Sequence, residues 1–220
     1  MKKKRLEKIY IFGTGSLSRV VASIIENNND FKIAGFIEQN SDINLSNNIY
    51  SLKYLLKKFK NENIVIAIGE NILRKNIYKL FKNKNFIFPN IISNSAIISA
   101  NVKIGFGNII MPGVVINTHS KINNFCILNT SSLLEHDCNL ESYVTLSPSA
   151  VICGGCDLEE GVFVGANSTI VQYLNIEKWS VVGAASIVLK KIKKNTLNIG
   201  SPTKIIKKIN KNYKVFKTNL

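Results

Sequence analysis

Aliphatic residues recur at every sixth position along the second half of the chain. From Ile92 to Val188, all seventeen positions at this spacing are Ile, Leu or Val. Neither a helix, with its 3.6-residue period, nor a simple strand, with its period of two, produces this pattern. It is typical of a solenoid whose coils contain three short strands, about eighteen residues a turn, and bury a continuous apolar column by stacking. The pattern predicts a parallel β-helix over residues 92–188 with no long inserted loop.

A second register, two residues before each aliphatic position, is occupied mostly by small residues. Three of the four cysteines, Cys126, Cys138 and Cys156, fall in this register, which predicts that they pack in the interior. Cys153 follows an aliphatic position and should face outward. The spacing Cys153-Gly-Gly-Cys156 has the form of a redox pair or half a zinc site, but the repeat phase favours core packing.

Small or flexible residues occupy the remaining positions of the repeat, where the coil must bend. We expect positive φ at several of them. These positions are Gly105, Gly107, Asn123, Asn124, Gly161 and Gly165.

The first part of the chain has the pattern of an α/β domain. Apolar segments predict strands at residues 9–12, 32–37 and 63–68, and amphipathic segments predict helices at residues 19–27 and 73–81. A Gly-rich turn between the first strand and the first helix directs backbone N–H groups towards a phosphate. The dinucleotide motif is incomplete, because Ser18 or Arg19 stands where its third glycine belongs. A mononucleotide site, a dehydrogenase domain and a purely structural cap all remain open, and acidic Glu38 could bind a ribose hydroxyl.

The composition restricts the partners and the location. The net charge of +15 over 220 residues indicates an acidic partner, and much of the excess lies in the two terminal segments. Phosphate groups of a small-molecule ligand would use the same charge, and we expect no nucleic-acid partner. No apolar run reaches the roughly 18 residues of a membrane span, and polar residues interrupt the apolar start, so a cytoplasmic protein is predicted.

Two histidines are too few for the zinc hydrolases built on this type of helix, which need three imidazoles. We therefore predict no metal. His119 is expected at an exposed corner. His136 falls two residues after interior Leu134 and should point outward beside Asp137, with Gly154 leaving space over its ring one coil further on. These residues alone leave both a catalytic base and a surface histidine open.

Several motifs give the chain a specific resemblance. They are IYIFGTGS at residues 9–16, AIGENILRKNIY at 67–78, IIMPGVVIN at 109–117, LNTSSLLEHDC at 128–138 and GSPTK at 200–204. The chain resembles the hexapeptide-repeat acyltransferases that acetylate amino groups of nucleotide sugars, in particular those acting on UDP-4-amino sugars in bacillosamine synthesis. The resemblance implies a Rossmann-like nucleotide-sugar domain at residues 1–88, a left-handed β-helix at 89–203 and a basic tail at 204–220. It also implies a homotrimer with acetyl-CoA between neighbouring helices.

The same resemblance assigns roles to individual residues. His136 would be the general base, and Asp137 would raise its basicity. Other residues would contact acetyl-CoA, namely Thr145, Ala166, Ala184 and Lys204. A third set would surround the nucleotide sugar, namely Gly15, Ser16, Leu17, Glu38, Gln39, Gly69 and Asn129.

Three departures from the family pattern bear on the identity of the nucleotide and the sugar more than on the type of reaction. Where relatives often carry a second histidine, this chain has Thr145, which would serve the thioester end. Leu17 replaces the usual histidine of the Gly-rich loop, and the paired acids after the second strand become Glu38-Gln39.

We expect direct transfer of the acetyl group to the sugar amine, with no acyl-enzyme. The alternatives are O-acetylation of a sugar such as a sialic acid, a non-catalytic trimeric sugar-nucleotide-binding scaffold, and a ping-pong route through Cys153.

Overall fold

The computed structural model describes residues 6–39, 48–81 and 84–216. The N-terminal part is a four-stranded parallel sheet with the order β3-β2-β1-β4 and three helices. Its elements are β1 (Glu7–Phe12), α1 (Ser16–Asn28), β2 (Phe31–Glu38), β3 (Ile49–Ser51), α2 (Leu52–Lys58), β4 (Asn63–Ile66) and α3 (Asn71–Phe81). This is the predicted βαβ start, and the carboxyl ends of β1 and β2 lie side by side, with Phe12 paired to Ile37.

Two of these elements were not predicted, and both predicted helices begin earlier than expected, α3 by two residues and α1 by three. β3 and α2 are too short to give a periodic signal, since α2 has only seven residues. α1 begins at Ser16 rather than at residue 19, directly after extended Gly15. The early start places the helix N-terminus within the Gly-rich turn, where its free N–H groups face any bound phosphate.

The second part is a triangular β-helix of seventeen two-residue strands in three parallel sheets. Each strand pairs with the strand eighteen residues on, as Leu128 does with Leu146. The eight-stranded sheet contains β5 (Ile91–Ile92), β8 (Ile109–Ile110), β11 (Ile127–Leu128), β14 (Thr145–Leu146), β17 (Phe163–Val164) and β20 (Val181–Val182), followed by two C-terminal strands. The six-stranded sheet contains β6 (Ile97–Ile98), β9 (Val115–Ile116), β12 (Leu133–Leu134), β15 (Val151–Ile152), β18 (Thr169–Ile170) and β21 (Ile187–Val188). The five-stranded sheet contains β7 (Lys103–Ile104), β10 (Lys121–Ile122), β13 (Asn139–Leu140), β16 (Asp157–Leu158) and β19 (Asn175–Ile176).

The six-residue aliphatic column fills the interior as predicted. Leu128, Leu134 and Leu140 have no exposed surface. Only the first three members of the column, in the terminal coil, are partly exposed. Cys126, Cys138 and Cys156 are buried and Cys153 is half-buried, so the predicted phase of the thiols is confirmed.

The positive-φ positions are a correction to the sequence analysis. They recur every six residues from Asn101 to Ala185, and they include Gly107 and Gly161 but not the other four predicted positions. Gly105 and Gly165 are needed for a different reason. A Cβ at either would lie 2.3 or 2.5 Å from an atom of the next coil. The αL positions at other corners are filled by larger residues, among them Asp137.

The three faces of the β-helix differ in polarity. Outward positions of the five-stranded sheet are polar or charged, for example Lys121 and Asp157. The eight-stranded sheet is covered by the N-terminal domain and the C-terminal segment. The six-stranded sheet carries outward aliphatic residues, of which Ile97 is 63% and Ile187 40% exposed. The six-stranded face is therefore apolar and uncovered within one chain.

Residues 204–216 lie in the segment predicted as a basic tail, but they include a strand and pack against the β-helix. β22 (Thr196–Gly200) extends the eight-stranded sheet, and β23 (Thr203–Lys208) pairs with it as an antiparallel hairpin. Tyr213 and Val215 then pack against Phe163 and the end of that sheet. None of the helices in residues 6–39, 48–81 and 84–216 is long and apolar enough to cross a membrane.

Candidate active site

Three adjoining cavities run in a row from the N-terminal domain along the β-helix. The strand-end cavity, about 260 Å³, lies at the carboxyl ends of β1 and β2. The junction cavity, about 600 Å³, lies between the domain and the eight-stranded sheet. The C-terminal groove, about 430 Å³, follows the same side of the β-helix. Gly15 and Ile68 line both of the first two, and Phe216 lines both of the last two.

The junction cavity brings together six of the predicted site residues. They are Gly15, Ser16, Leu17, Gly69, Asn129 and Thr145. The first three belong to the Gly-rich turn and α1, Gly69 belongs to the loop after β4, and the last two belong to the β-helix. Both domains therefore contribute to one cavity that is large enough for a sugar.

The strand-end cavity contains the two remaining residues predicted for the nucleotide. Glu38 ends β2 and Gln39 follows it, and both line this cavity together with Gly15, over an apolar wall that includes Ile37 and Leu73. A crevice beyond the carboxyl ends of parallel strands is where open α/β sheets bind nucleotides. Glu38 is partly exposed, so its carboxylate is accessible to a ligand.

The C-terminal groove is lined by Ala166 and Ala184, two of the residues predicted for acetyl-CoA. They lie on the corner between the eight- and six-stranded sheets, directly in line with Thr130 of the junction cavity, since each step along this column is eighteen residues. Lys204 lines none of the three cavities. It lies exposed on β23, opposite Ile199, which does line the groove.

His136 and Asp137 form a side-chain pair at another corner. The Nδ1 atom of His136 lies 2.8 Å from an Asp137 carboxylate oxygen, and about half of the imidazole is exposed. A hydrogen bond from Nδ1–H to the carboxylate leaves Nε2 with a free lone pair, which is the arrangement of a general base. The ring packs against Gly154, and a Cβ there would lie 2.7 Å from Nε2. As predicted, the side chain points outward over this glycine.

The histidine corner and the cavities lie on different edges of the six-stranded sheet. β12 separates residues 129–132, the corner beside the junction cavity, from residues 135–138, the corner that carries His136. His136 lines none of the three cavities in its own chain. A single chain thus has a binding cavity and a candidate base that do not meet.

Thr145 reaches the junction cavity, but its hydroxyl has partners within the protein. It donates to Asn71 Oδ1 at 2.6 Å and accepts from Arg74 at 3.1 Å. Both partners belong to α3 and are buried. Sequence reasoning missed them, although they lie inside the quoted motif AIGENILRKNIY, because a polar residue on an amphipathic helix is ordinarily expected to face solvent.

Phe216 is the other residue that the sequence analysis missed. Its N–H donates to Glu70 Oε1 at 2.8 Å, and its ring lies edge-on to Phe163 and close to Gly69. The C-terminal segment thereby forms the wall shared by the junction cavity and the groove. A basic terminal sequence gives no signal for this position.

The Cys153 thiol has little nucleophilic character in this arrangement. Burial raises the pKa of the Cys153 thiol, with Cys156 and Glu135 adding to the effect. A raised pKa disfavours the thiolate, which is the reactive form. No group of three or more His, Cys, Asp or Glu side chains is placed to hold a metal in the part of the chain that the structure describes.

The chain is similar to known proteins over nearly its whole length. Residues 8–81 match the PglD N-terminal domain family. A solved structure of a point mutant of GDP-perosamine N-acetyltransferase from Caulobacter crescentus, in complex with CoA and GDP-perosamine, is 26% identical, covers 91% of this chain and 97% of its own, and has a TM-score of 0.84. The acetyltransferase domain of PglB from Neisseria gonorrhoeae, in complex with acetyl coenzyme A, is 24% identical over 92% and 100%, with a TM-score of 0.84. WeeI from Acinetobacter baumannii is 22% identical over 91% and 100%, with a TM-score of 0.80. Among curated proteins, none matches this chain.

These similarities confirm the predicted fold class, a Rossmann-like domain followed by a left-handed β-helix. They also confirm the resemblance to the hexapeptide-repeat nucleotide-sugar N-acetyltransferases. The structures below 25% identity bear on the fold alone.

Proposed function

Because the chain resembles the hexapeptide-repeat nucleotide-sugar N-acetyltransferases over nearly its full length, we propose that it transfers an acetyl group from acetyl-CoA to the amine of a nucleotide-linked amino sugar. The proposed acceptor is a UDP-4-amino-4,6-dideoxy sugar or a close analogue. The proposed location is the cytoplasm.

The row of three cavities is the observation that carries this proposal. The nucleotide occupies the strand-end cavity, with Glu38 and Gln39 at the ribose and the N-terminus of α1 near the phosphates. The amino sugar occupies the junction cavity beside Asn129. Acetyl-CoA follows the groove past Ala166 and Ala184. Lys204 lies on the hairpin that borders the groove, where its charge favours the phosphates of the coenzyme.

The geometry of His136 suits direct transfer. The amine attacks the thioester carbonyl, a C–N bond forms, the C–S bond breaks, and Nε2 takes the proton that the amine loses and returns it to the departing thiolate. Asp137 holds the ring through Nδ1 and stabilises the imidazolium that forms. Base catalysis of this kind typically contributes about 10²–10⁴-fold. Thr145 contributes a wall of the junction cavity near the thioester, with its hydroxyl held by α3.

A homotrimer is part of the proposal, because one chain does not bring its base to its cavity. The apolar six-stranded face carries the cavity corner along one edge and the His136 corner along the other. Packing three such faces around an axis parallel to the β-helix buries them. It also brings His136 of one copy to the same height along the axis as Asn129 of the next copy. Both corners belong to the same coil, so their heights match.

The decisive assay follows thiol release from acetyl-CoA with a panel of UDP-, dTDP- and GDP-linked amino sugars. We expect CoA release that depends on one amino sugar, with a product heavier by one acetyl group. Acetylation of only hydroxyl sugars would indicate an O-acetyltransferase. Sugar-nucleotide binding without thiol release would indicate a scaffold. An enzyme that becomes acetylated by acetyl-CoA alone would indicate a ping-pong route through Cys153.

Mixed trimers test the shared site separately. His136→Ala and a cavity-blocking variant, Gly15→Trp, are each expected to be inactive. Refolding them together creates sites that combine an intact cavity with an intact His136 from a neighbour, about one site in four for random assembly. We expect about a quarter of the wild-type activity. A mixture as inactive as its parents would place the base and the cavity in one chain and contradict the trimeric site.

A further inference from the structure

Arg74 lies at the junction of the two domains with no exposed surface. Its N–H groups donate to six acceptors, all of them uncharged. On the N-terminal side these are Ile68 O at 2.7 Å, Gly69 O at 3.0 Å and Asn71 Oδ1 at 3.0 Å. On the β-helix they are Phe125 O at 2.8 Å, Tyr143 O at 3.3 Å and Thr145 Oγ1 at 3.1 Å.

This guanidinium is a buried cation without a carboxylate partner among the residues that the structure describes. Burial lowers its pKa to about 10, so it remains charged at neutral pH. Burying a charge costs several kcal/mol, which hydrogen bonds to carbonyl groups only partly offset. Stability alone is therefore a weak reason for an arginine here, since well-packed apolar residues serve an interior as well or better.

The positions of the six acceptors indicate what the arginine does instead. Ile68 and Gly69 form the loop after β4, and both line the junction cavity. Thr145, on the opposite wall, lines it too. The planar guanidinium, with five donors in a fixed fork, thus fixes the distance between the two walls of that cavity.

We propose that Arg74 is a positioning residue, which holds the loop at Ile68 and Gly69 in register with the β-helix and so aligns the nucleotide-bound amine with the acetyl donor. This inference rests on the proposed function. Arg74 touches neither substrate, and it acts through the loop and Thr145. A misplacement of the reacting groups by about 1 Å lowers the rate by about a hundredfold. Loss of the guanidinium leaves at least two buried carbonyl groups without a hydrogen-bond donor.

The test uses Arg74→Lys and Arg74→Gln in the full-length chain, with two control variants on the same helix. Lys75→Met removes an ammonium group at the edge of the same junction. This group pairs with Glu160 and lies over the rings of Tyr143 and Trp179. Lys79→Met removes an exposed charge. Steady-state kinetics with each substrate varied, calorimetric binding of the nucleotide sugar, and circular dichroism with gel filtration are measured for all four.

For both Arg74 variants we expect weaker calorimetric binding of the nucleotide sugar and a fall in its kcat/KM by about 30-fold or more, because the loop no longer holds the sugar in line with the acetyl donor. The KM for acetyl-CoA should stay within about twofold of wild type, because the groove does not include α3 or its loop. Lysine has three donors in a tetrahedral arrangement and cannot reproduce the planar set of five donors in the guanidinium. Both control variants should retain wild-type kinetics.

Wild-type kinetics in Arg74→Lys and Arg74→Gln would overturn the inference. Equal losses of kcat/KM for both substrates, together with loss of the folded oligomer, would also overturn the inference, since that result indicates a purely structural residue. If the wild-type chain acetylates none of the sugars, the proposed function fails instead. Calorimetry then still decides on Arg74, because unchanged nucleotide-sugar binding in both variants would contradict its effect on the loop.

Discussion

Replacing Gly154 by alanine tests whether the observed position of the His136 ring is the catalytic one. The new Cβ would lie 2.7 Å from both Cε1 and Nε2, whereas ordinary contact begins at 3.4 Å, so the ring must retreat by about 0.7 Å. The backbone at Gly154 has no positive φ, so alanine fits it without strain. Since about half of the imidazole is exposed, the ring can move at little cost in stability.

A displacement of this size changes the direction in which the Nε2 lone pair points. It also changes the hydrogen bond from Nδ1 to Asp137. We expect Gly154→Ala to lower kcat by about 10- to 100-fold, to leave the KM for acetyl-CoA nearly unchanged and to shift the melting temperature only slightly. Steady-state kinetics and thermal denaturation measure these quantities.

The neighbouring glycine gives a matched control. Gly155 has a positive φ of 67°, and a Cβ there would meet the Tyr173 ring at 2.5 Å. Gly155→Ala should therefore lose stability but keep its kcat at temperatures where it is folded. The two substitutions differ in whether the added methyl group reaches the imidazole.

A double-mutant cycle makes the test specific. If the methyl group acts only through the ring, adding Gly154→Ala to His136→Ala should change nothing further. Full activity of the single variant Gly154→Ala would refute the assignment of this ring position to the catalytic base. An additional loss in the double variant would show that Gly154 acts by another route.

Three further predictions follow from particular residues. Asp137→Asn should lower kcat by about tenfold or more without loss of stability, because asparagine tolerates the αL conformation but does not stabilise an imidazolium; the pH–rate profile and melting curve check this. Leu133→Glu places a charge on the apolar six-stranded face, and gel filtration should show monomers with little activity. Glu177 accepts a hydrogen bond from the N–H of Lys194 and pairs with Lys191 and Lys193, which lowers its pKa to about 2. Its stabilisation is present above the usual value of 4.5 and is lost as the pH falls towards 2, so Glu177→Gln should lower the melting temperature at pH 7 and differ less from wild type at pH 3.

The β-helix and the phase of its side chains could be predicted from the sequence. A solenoid repeats its environment at a fixed interval, so each six-residue step samples the same interior position, and the pattern of Leu128, Leu134 and Leu140 is sufficient evidence. The same phase places the buried thiols and turns His136 outward. Motif resemblance added the residues predicted for the nucleotide sugar, and the structure gathers six of them, together with Asn129 and Thr145, around two adjoining cavities.

The contacts between the domains and the surroundings of each corner could not be predicted, because they depend on residues far apart in the chain. The burial of Arg74 depends on carbonyl groups more than fifty residues away, and no local pattern on α3 encodes that contact. The return of the C-terminal segment to Gly69 and Phe163 is equally non-local. The separation of His136 from the cavity follows from the geometry of a triangular coil, in which residues seven apart along the chain occupy different edges. The spacing of residues in the sequence gives their distance along the chain. The direction in which a corner residue points is defined only after the coil has folded.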